Sequence, residues 1–228
     1  MLKNSRSEEI LRLVNSKGSI SIQELSENIY VSRSTIRRDL EKLEQHGLLR
    51  RHHGGAESIL ALRPPRIIRR GWNQAEKNAA ASRAAALVMP NSTIFIDAST
   101  TAQYMIPYLA AIEGLTVYTN GADTAIRLSE SRIRAFCTGG ELLAESMAYV
   151  GSAAKDTVRR VYFDAMFFSS AGFDDGVISD WSEGETALRR LVMEQSAKRY
   201  FLADHTKRGK RFTYIVCRLN EIDGIFCQ

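Results

Sequence analysis

The stretch that most constrains the fold of this 228-residue chain is residues 19–56, SISIQELSENIYVSRSTIRRDLEKLEQHGLLRRHHGGA. Apolar residues recur there with helical spacing in two short segments, as Ile22, Leu25 and Ile29 and then as Ile36, Leu40 and Leu43. This pattern predicts two short helices joined by a turn, with Ser32 as the N-cap of the second helix. Tyr30 and Val31 are predicted to close the first apolar stripe, and Gly47 to end the second helix.

Pairing of the two stripes leaves one face of the second helix exposed. That face carries Arg33, Ser34, Thr35, Arg37 and Arg38. It has the layout of a recognition helix, because the N-terminal residues of such a helix meet base edges in the major groove of DNA. Residues 48–55 then fit a basic β-hairpin, or wing, that contains Arg50, Arg51, His52 and His53. On periodicity alone, a solvated surface helix fits the same pattern.

The residues of this stretch favour a recognition helix over a solvated surface helix. VSRSTIRRDLEKLEQHGLLRRHHGGA closely resembles the winged helix-turn-helix of the DeoR family of bacterial transcriptional regulators, over about the first 56 residues. The resemblance implies a head that binds a double-stranded DNA operator, in a regulator that represses a carbohydrate-metabolism operon. The predicted DNA contacts are Ser32, Arg33, Ser34, Thr35, Arg37, Arg38, Arg50, Arg51, His52 and His53. Because two heads are normally needed to read a symmetric site, a homo-oligomer (dimer or tetramer) is expected.

The basic charge of the chain is concentrated in the same region. Residues 1–70 hold 14 Lys and Arg against 8 Asp and Glu, whereas the remaining residues hold 17 against 18. The net charge of +5 therefore belongs to the head and the segment after it, as expected for a module that binds phosphates. The sequence has no apolar run long enough for a membrane span and no signal-peptide core, so no membrane partner is expected.

The cysteines and histidines indicate neither a disulfide framework nor a metal site. Cys137, Cys217 and Cys227 lie in or beside apolar runs, and the four histidines do not join them at zinc-ligand spacing. A reducing cytoplasm is the simplest location for such a chain. We expect no metal and no cofactor.

A change in composition marks the end of the head. Residues 57–74 include Arg63-Pro64-Pro65-Arg66 followed by Arg69-Arg70-Gly71, and consecutive prolines disfavour a helix. The predicted organisation is therefore a winged helix-turn-helix domain at residues 1–56, a basic linker at 57–74 and an effector-binding domain at 75–228.

Apolar strands alternate with helical segments from residue 75 onward. Strands are predicted at residues 93–96, 115–119, 133–137, 165–168, 200–203 and 214–217, and helices at 79–88, 101–111, 123–128 and 185–197. Pro107 lies inside the second of these helices and must kink or break it. Buried strands separated by helices indicate an α/β domain with a mostly parallel sheet.

Four polar loops follow predicted strands. They are Asp97-Ala98-Ser99-Thr100-Thr101, Thr119-Asn120-Gly121, Thr138-Gly139-Gly140 and Ala203-Asp204-His205-Thr206-Lys207. In an open α/β sheet, ligands bind beyond the carboxyl ends of the strands, where backbone N–H groups and hydroxyls converge on an anion. Each loop alone also suits an ordinary helix cap or tight turn, but four of them at strand ends together indicate a ligand site.

The order IDASTT, YTNG, CTGG, VGSAA, DAMFFSSAGF and LADHTK resembles the sensor domain that follows the DeoR-type head. That domain is similar in fold to ribose-phosphate isomerase and the CoA-transferase group, and the resemblance implies a phosphorylated sugar or related metabolite as effector. It assigns Asp97, Ser99, Thr100 and Thr101 to a phosphate loop, Asn120, Gly139 and Gly140 to the pocket wall, Lys207 to the negative charge and Glu185 to sugar hydroxyls. The chain departs from the family at Ser99, where glycine is common, and ends at Gln228, where relatives usually continue.

The isomerase-like fold leaves one alternative, a sugar-phosphate isomerase fused to a DNA-binding head. Proton transfer needs a carboxylate beside the substrate, and Asp174, Asp175, Glu183 and Glu185 follow a predicted strand. However, residues 172–176 also suit a turn with solvated acids, and a DNA-binding head explains a pocket that performs no chemistry. We therefore predict a sensor and not an enzyme.

Overall fold

The structure, a computed structural model, describes residues 5–46, 48–58 and 66–227. These residues form two compact units that divide between Arg69 and Arg70. The first unit contains α1 (Ser5–Lys17), β1 (Ser19–Ser21), α2 (Ile22–Ile29), α3 (Arg33–Gln45), β2 (Arg50–His52) and β3 (Gly55–Glu57). Gly47 and residues 59–65, predicted as a helix end and as part of the linker, lie outside the described residues. Another part of the predicted linker is helical, because α4 spans Arg66–Gly71.

An apolar core between the three helices and the small sheet stabilises the first unit. Ile36, Leu40 and Leu43 of α3 are fully buried together with Leu25 of α2. Ile22 and Ile29 pack against the same core from its edge. These contacts confirm the two predicted apolar stripes. The strands pair antiparallel in the order β1-β3-β2, so β2 and β3 form the predicted wing and β1 extends it.

Tyr30 does not close the apolar stripe of α2, contrary to the prediction. Its side chain is 92% exposed, and its backbone adopts the left-handed conformation with φ 59° and ψ 40°. The Tyr30 N–H donates to the carbonyl of Ser26, which ends α2 and reverses the chain toward α3. This turn directs the side chain away from the core.

The second unit is built on a six-stranded sheet. Its strands are β4 (Thr93–Ile96), β5 (Thr116–Thr119), β6 (Arg134–Cys137), β9 (Phe163–Phe168), β12 (Ser196–Ala203) and β14 (Gly224–Cys227). Its helices are α5 (Gln74–Ala85), α6 (Thr100–Gln103), α7 (Ile106–Leu109), α8 (Ala122–Glu130), α9 (Gly151–Arg159) and α10 (Glu183–Glu194). The other strands are β7 (Glu141–Leu143), β8 (Ala148–Val150), β10 (Gly172–Phe173), β11 (Val177–Asp180) and β13 (Tyr214–Arg218).

All neighbouring strands of the central sheet run parallel, in the order β14-β12-β9-β4-β5-β6. The chain moves outward from β4 through β5 to β6, and then returns to place β9 on the other side of β4. The strand order therefore reverses between β4 and β9. In open α/β sheets this reversal opens a crevice at the carboxyl ends of the two strands, which is where ligands bind.

Helices cover both faces of the sheet, which explains why its strands are apolar on both sides. Ile94 and Ile96 of β4 point into a core with α5, α6, α7 and α8, whereas Phe95 points into a second core with α9 and α10. This alternation follows from the two-residue period of a strand. Parallel strands buried between two helical layers confirm the predicted α/β class.

Two predicted elements differ from the structure. Residues 214–217 do form a strand, but β13 belongs to a separate antiparallel sheet in the order β10-β11-β13. The predicted helix at 101–111 is divided into α6 and α7, and Pro107 lies in the first turn of α7. Proline is tolerated there because the first helical N–H groups have no partner within the helix.

No disulfide joins the three cysteines, all of which lie within the described residues. Cys137 is exposed and Cys217 is buried, and burial raises the pKa of Cys217 to about 12. No helix within the described part of the chain is long and apolar enough to cross a bilayer. In the same residues, no group of three His, Cys, Asp or Glu side chains is arranged to hold a metal ion.

Candidate DNA-contacting face and ligand site

The N-terminus of α3 is fixed by hydroxyl groups. Ser32 Oγ accepts a hydrogen bond from the Thr35 N–H at 3.3 Å, as an N-cap does. The same oxygen lies 2.9 Å from the hydroxyls of both Ser34 and Thr35. Three of the predicted DNA contacts therefore form one hydroxyl cluster at the start of the helix.

The arginines of α3 are available to a partner. Arg33, Arg37 and Arg38 are exposed, and none of them makes an ion pair with another described residue. Ile36 and Leu40 are buried on the opposite side and fix which face of the helix points outward. A helix N-terminus with exposed hydroxyls and unpaired guanidinium groups has the chemistry needed for base edges and phosphates.

The cations of the wing are partly engaged within the head. Arg51 donates to Glu44 of α3 at 2.6 Å, and Arg50 lies 3.7 Å from Glu57. His52 lies 3.1 Å from the hydroxyl of Ser19, whereas His53 is exposed at the hairpin turn. Three of the four predicted wing contacts therefore already have partners within the head, whereas the α3 arginines have none among the described residues.

An ion pair that the sequence did not reveal holds α3 against α1. Arg6 donates from Nε to Asp39 at 2.6 Å and from its terminal nitrogen at 3.2 Å. Asp39 is nearly buried, so this two-point contact fixes the rotation of α3 about its axis. The helical spacing of α3 places Asp39 next to the buried Leu40. It does not predict that the partner of Asp39 is Arg6, which is 33 residues earlier in the chain.

A buried guanidinium lies at the reversal point of the central sheet. Arg189 of α10 donates to Asp97 at 2.9 Å, to Asp180 at 2.9 Å and to Glu185 at 3.2 Å. All four side chains are less than 10% exposed. Burial of Arg189 disfavours its charged form, but the three carboxylates outweigh this and raise its pKa. We call these four residues the Arg189 cluster.

The Arg189 cluster determines what Asp97 and Glu185 can do. Besides Arg189, Asp97 accepts the backbone N–H of Ser99 at 3.0 Å and that of Ser169 at 3.4 Å. Its carboxylate therefore joins the loop after β4 to the loop after β9 and is only 1% exposed. Glu185 is 6% exposed and bonded to Arg189 through one oxygen. Both predicted effector residues therefore lie near the crevice, and the guanidinium of Arg189 is hydrogen-bonded to each of them.

Lys207 lies across the crevice from the loop after β4. Its Nζ donates to Ser169 Oγ at 2.7 Å and to Thr101 Oγ1 at 3.4 Å. Lys207, Ser169 and Thr101 come from the loops after β12, β9 and β4, which are three adjacent strands. We call these three residues the Lys207 cluster. Two of its members, Lys207 and Thr101, are predicted site residues, whereas Ser169 was not predicted.

Asp204 supports the loop that carries Lys207. Its Oδ1 accepts from the Thr206 hydroxyl and from Asn73 Nδ2, the latter at 2.9 Å. Burial alone would raise the pKa of Asp204, but the charge of Lys207 and the hydroxyl of Thr206 hold it below its ordinary value. The charge of Lys77, a buried lysine of α5, acts in the same direction. Neither Asn73 nor Lys77 lies in one of the four predicted polar loops, so no sequence pattern identified them as part of this site.

The remaining predicted residues shape the loops around the crevice. Ser99 caps α6 by accepting the Ala102 N–H at 3.1 Å, and Thr100 is buried as the first residue of that helix. Asn120 accepts the Ala98 N–H at 2.9 Å and donates to the carbonyl of Tyr149 at 3.1 Å. Its amide therefore connects the loops after β4 and β5 to β8.

Gly139 and Gly140 follow β6, the outermost strand on one side of the central sheet. Gly139 and Gly140 both have positive φ, 64° and 110°. A Cβ on Gly140 would lie 2.4 Å from the carbonyl oxygen of Val150, so only glycine fits that close approach. β6 is separated from β4 by β5 in the sheet, and the contacts of Lys207 are with the β4 and β9 loops instead.

Comparison with known proteins identifies both units. Residues 6–61 match the DeoR-like helix-turn-helix domain, and residues 72–228 match the DeoR C terminal sensor domain. The HTH-type transcriptional regulator YulB of Bacillus subtilis is 40% identical over 229 residues, covering 99% of this chain and 88% of that protein. The lactose phosphotransferase system repressor of Staphylococcus aureus is 33% identical over 231 residues, covering 99% and 92%.

Solved structures support the fold alone. The translation initiation factor eIF-2B of Pyrococcus horikoshii gives a TM-score of 0.50 at 14% identity, over 97% of this chain and 86% of that one. A ribose 5-phosphate isomerase A of Neisseria gonorrhoeae gives 0.46 at 16% identity over 60% and 54%, which is too little likeness to support an inference about function. With both of its units matched and relatives aligned along nearly its whole length, the chain belongs to the DeoR family of DNA-binding transcriptional regulators.

Proposed function

We propose that this regulator represses genes for the uptake or breakdown of a sugar, and that a phosphorylated sugar or related metabolite relieves repression. The observation that carries the proposal is the Lys207 cluster, a cation held over two hydroxyls at the reversal point of the sheet. The similarity to a repressor named for a lactose phosphotransferase system supports a carbohydrate-linked role. A cytoplasmic location follows from this role, since both the operator and the phosphorylated metabolite are found there.

The chemistry of the Lys207 cluster suits a phosphate group. The Lys207 ammonium and the Thr101 hydroxyl can donate to phosphate oxygens, and such charge-assisted bonds are about twice as strong as neutral ones. Ser169 and Thr101 are buried, while Lys207 is only partly exposed, so water screens the charge incompletely. Ser99 and Thr100 place the start of α6 beside this cation. We propose that a ligand phosphate binds between Lys207 and the loop after β4.

The Arg189 cluster has a different role in this proposal. Asp97 and Glu185 are bonded to Arg189 and nearly buried, so they present little free oxygen to a phosphate. A phosphate would also be repelled by these carboxylates. We therefore assign Asp97 to positioning of the loops after β4 and β9. Glu185 has a second carboxylate oxygen, which suits a sugar hydroxyl next to the phosphate.

Asp174, one of the four carboxylates considered for isomerase chemistry, is engaged within its own turn and with Arg211. Asp174 is bonded to Arg211 at 2.6 Å and to the N–H groups of Gly176 and Val177. The Arg211 hydrogen bond, followed by the two N–H groups, lowers the pKa of Asp174 strongly. A carboxylate that is held ionised in a surface turn is poorly suited to general acid–base catalysis near neutral pH. The proposal is therefore a sensor without turnover.

A homo-oligomer is part of the proposal. The free arginines and hydroxyls lie at the start and in the N-terminal half of α3, a helix of 13 residues, and form a face that suits one half-site in a major groove. Reading a symmetric operator needs two such faces, and closed two-fold symmetry is the commonest way to supply them. Light scattering of the free protein and of its operator complex measures the number of chains directly.

The first experiment is a thermal-shift screen of the whole chain with sugar phosphates, each paired with the same sugar lacking phosphate. We expect stabilisation by the phosphorylated member of at least one pair and release of a DNA duplex selected by the protein from random sequences. Lys207→Ala should lose the thermal shift, whereas Lys210→Ala, an exposed lysine in the same loop, should keep it. An equal shift with both members of every pair would exclude phosphate recognition, and conversion of a sugar phosphate would favour the isomerase alternative.

A further inference from the structure

Tyr30 occupies a backbone conformation that suits it poorly. Its φ of 59° and ψ of 40° lie in the left-handed region, where helices usually end on glycine or asparagine. Gly18 follows that preference at the end of α1. Among the described non-glycine residues with positive φ, Asn73 and Asn91 are asparagines, whereas Tyr30 and Met147 have large side chains. An L-residue with a large side chain adopts this conformation at a cost in free energy.

No side-chain contact of Tyr30 with the described residues offsets that cost. The Tyr30 side chain is 92% exposed, the largest exposure among the large apolar and aromatic residues of the described chain. Its phenol makes no hydrogen bond and its ring makes no aromatic contact with any described residue. Backbone strain at a residue whose ring packs against nothing described points to a functional contact, here one with another molecule.

The position of Tyr30 indicates which molecule that is. Tyr30 is two residues before Ser32, the N-cap of α3, and therefore lies at the end of the helix that enters the major groove. The hydroxyls of Ser32, Ser34 and Thr35 are bonded to one another, whereas the Tyr30 hydroxyl is free to donate. The groove is bordered by phosphates, and tyrosine is one of the side chains that bond phosphate oxygens.

We propose that the turn around Tyr30 docks on the sugar–phosphate backbone of DNA, with the Tyr30 hydroxyl donating to a phosphate oxygen beside the groove that α3 enters. The phenol is neutral, so this contact adds affinity without displacing counterions. It sets how far α3 moves along the groove, and it does not read bases. This inference depends on DNA binding by the head and not on the identity of the effector.

The test measures binding of the whole chain to two probes, a duplex of mixed sequence and a duplex that the wild-type protein selects from random sequences. Tyr30→Phe removes the hydroxyl and Tyr30→Gly also removes the ring and the backbone strain. The matched control is Tyr162→Phe, which changes a 66% exposed tyrosine in the second unit. Each variant is measured over a range of salt concentrations without effector, and its melting temperature is recorded.

We expect Tyr30→Phe to weaken binding to both duplexes by a similar factor, about tenfold, with the slope of log affinity against log salt unchanged. Tyr30→Gly should bind as weakly but melt no lower than the wild type, because the strain is relieved. Tyr162→Phe should match the wild type. Wild-type affinity of Tyr30→Phe would overturn the proposal, and so would a loss confined to the selected duplex, which would indicate base reading. A lower melting temperature for Tyr30→Gly would overturn the argument from strain.

Discussion

Lys207 donates a hydrogen bond of 2.7 Å to Ser169 Oγ, and Ser169 donates its only hydroxyl hydrogen to the backbone carbonyl of Leu202. Because that hydrogen is committed to Leu202, Ser169 can only accept from Lys207. The ammonium is therefore held at the ends of β9 and β12 before any ligand arrives. A cation positioned in advance loses less side-chain entropy on binding.

Lys207→Ala should reduce effector affinity about ten- to a hundredfold, since a hydrogen bond to a charged group contributes about 1.5–3 kcal/mol. Ser169→Ala keeps the charge of Lys207 but removes the hydrogen bond that positions it, so the loss of effector affinity should be smaller. Calorimetric titration of the effector found by thermal shift gives both values. Lys210→Ala is the control, and equal affinity of the wild type and Lys207→Ala would remove this lysine from the site.

Thr100→Val should also lower the affinity of the protein for its effector, because it replaces a buried hydroxyl at the start of α6 with a methyl group of similar size. Operator binding without effector should be unchanged, since the substitution lies outside the head. An effector acts only through its difference in affinity for two conformations, so the variant should need more effector to leave DNA. Release curves identical to those of the wild type would exclude the Thr100 hydroxyl, and Thr213→Val provides an exposed control.

Arg189→Met should destabilise the protein by about 3–5 kcal/mol, because it leaves three nearly buried carboxylates without their counter-charge. Urea unfolding at neutral pH, followed by circular dichroism, measures this difference. Arg190→Met changes the adjacent arginine, which is exposed and donates to the carbonyl of Val216. It should cost much less, and equal losses in the two variants would contradict a special role for Arg189.

Asp180 should make stability fall in acid. Burial alone would raise its pKa, but Arg189 and the hydrogen bond from Ser170 hold it below the ordinary value. A carboxyl group with a lowered pKa in the folded state stabilises above its unfolded pKa of about 3.9, and this contribution is lost as the pH falls below that value. The free energies of unfolding of the wild type and Asp180→Asn should therefore differ most near pH 7 and converge in acid. Asp156→Asn, at an exposed ion pair, should show little pH-dependent difference.

The parts of the fold that sequence predicted are those fixed by local pattern. Ile36, Leu40 and Leu43 are spaced for one helix face, and Ile94, Phe95 and Ile96 form an apolar run that suits a strand buried on both sides. Strand-end rules then place Thr101 and Lys207 at one edge of a parallel sheet. β13 carries an equally apolar run, so its separate antiparallel sheet cannot be recognised from composition.

The parts that sequence missed depend on long-range pairing. Arg189 joins Asp97 across 92 residues, and Arg6 joins Asp39 across 33. One signal was available, because Glu185 and Arg189 are four residues apart on a predicted helix and face the same side. Tyr30 was misplaced for a related reason, since its apolar ring suggested burial while the left-handed turn that exposes it depends on how α2 ends.

Arg37→Ala with Arg38→Ala should strongly weaken operator binding, because both guanidinium groups are exposed on α3 without an acidic partner among the described residues. An arginine that reads a base contributes about 1–3 kcal/mol, and its loss relaxes specificity at that base pair. An arginine that bonds a phosphate instead makes the slope of log affinity against log salt shallower by about one. Single variants measured on the selected duplex, on each of its point-substituted forms and over a salt series assign each arginine to one role.

The control for this pair is Arg51→Ala on the wing, because Arg51 is bonded to Glu44 and has less freedom to reach DNA. Its effect on affinity should be smaller than that of either α3 arginine. Wild-type affinity of the Arg37→Ala, Arg38→Ala double variant would show that α3 does not present this face to the groove. A larger loss for Arg51→Ala than for the double variant would assign the main contact to the wing. In that case the Glu44 ion pair would have to open when the head binds DNA.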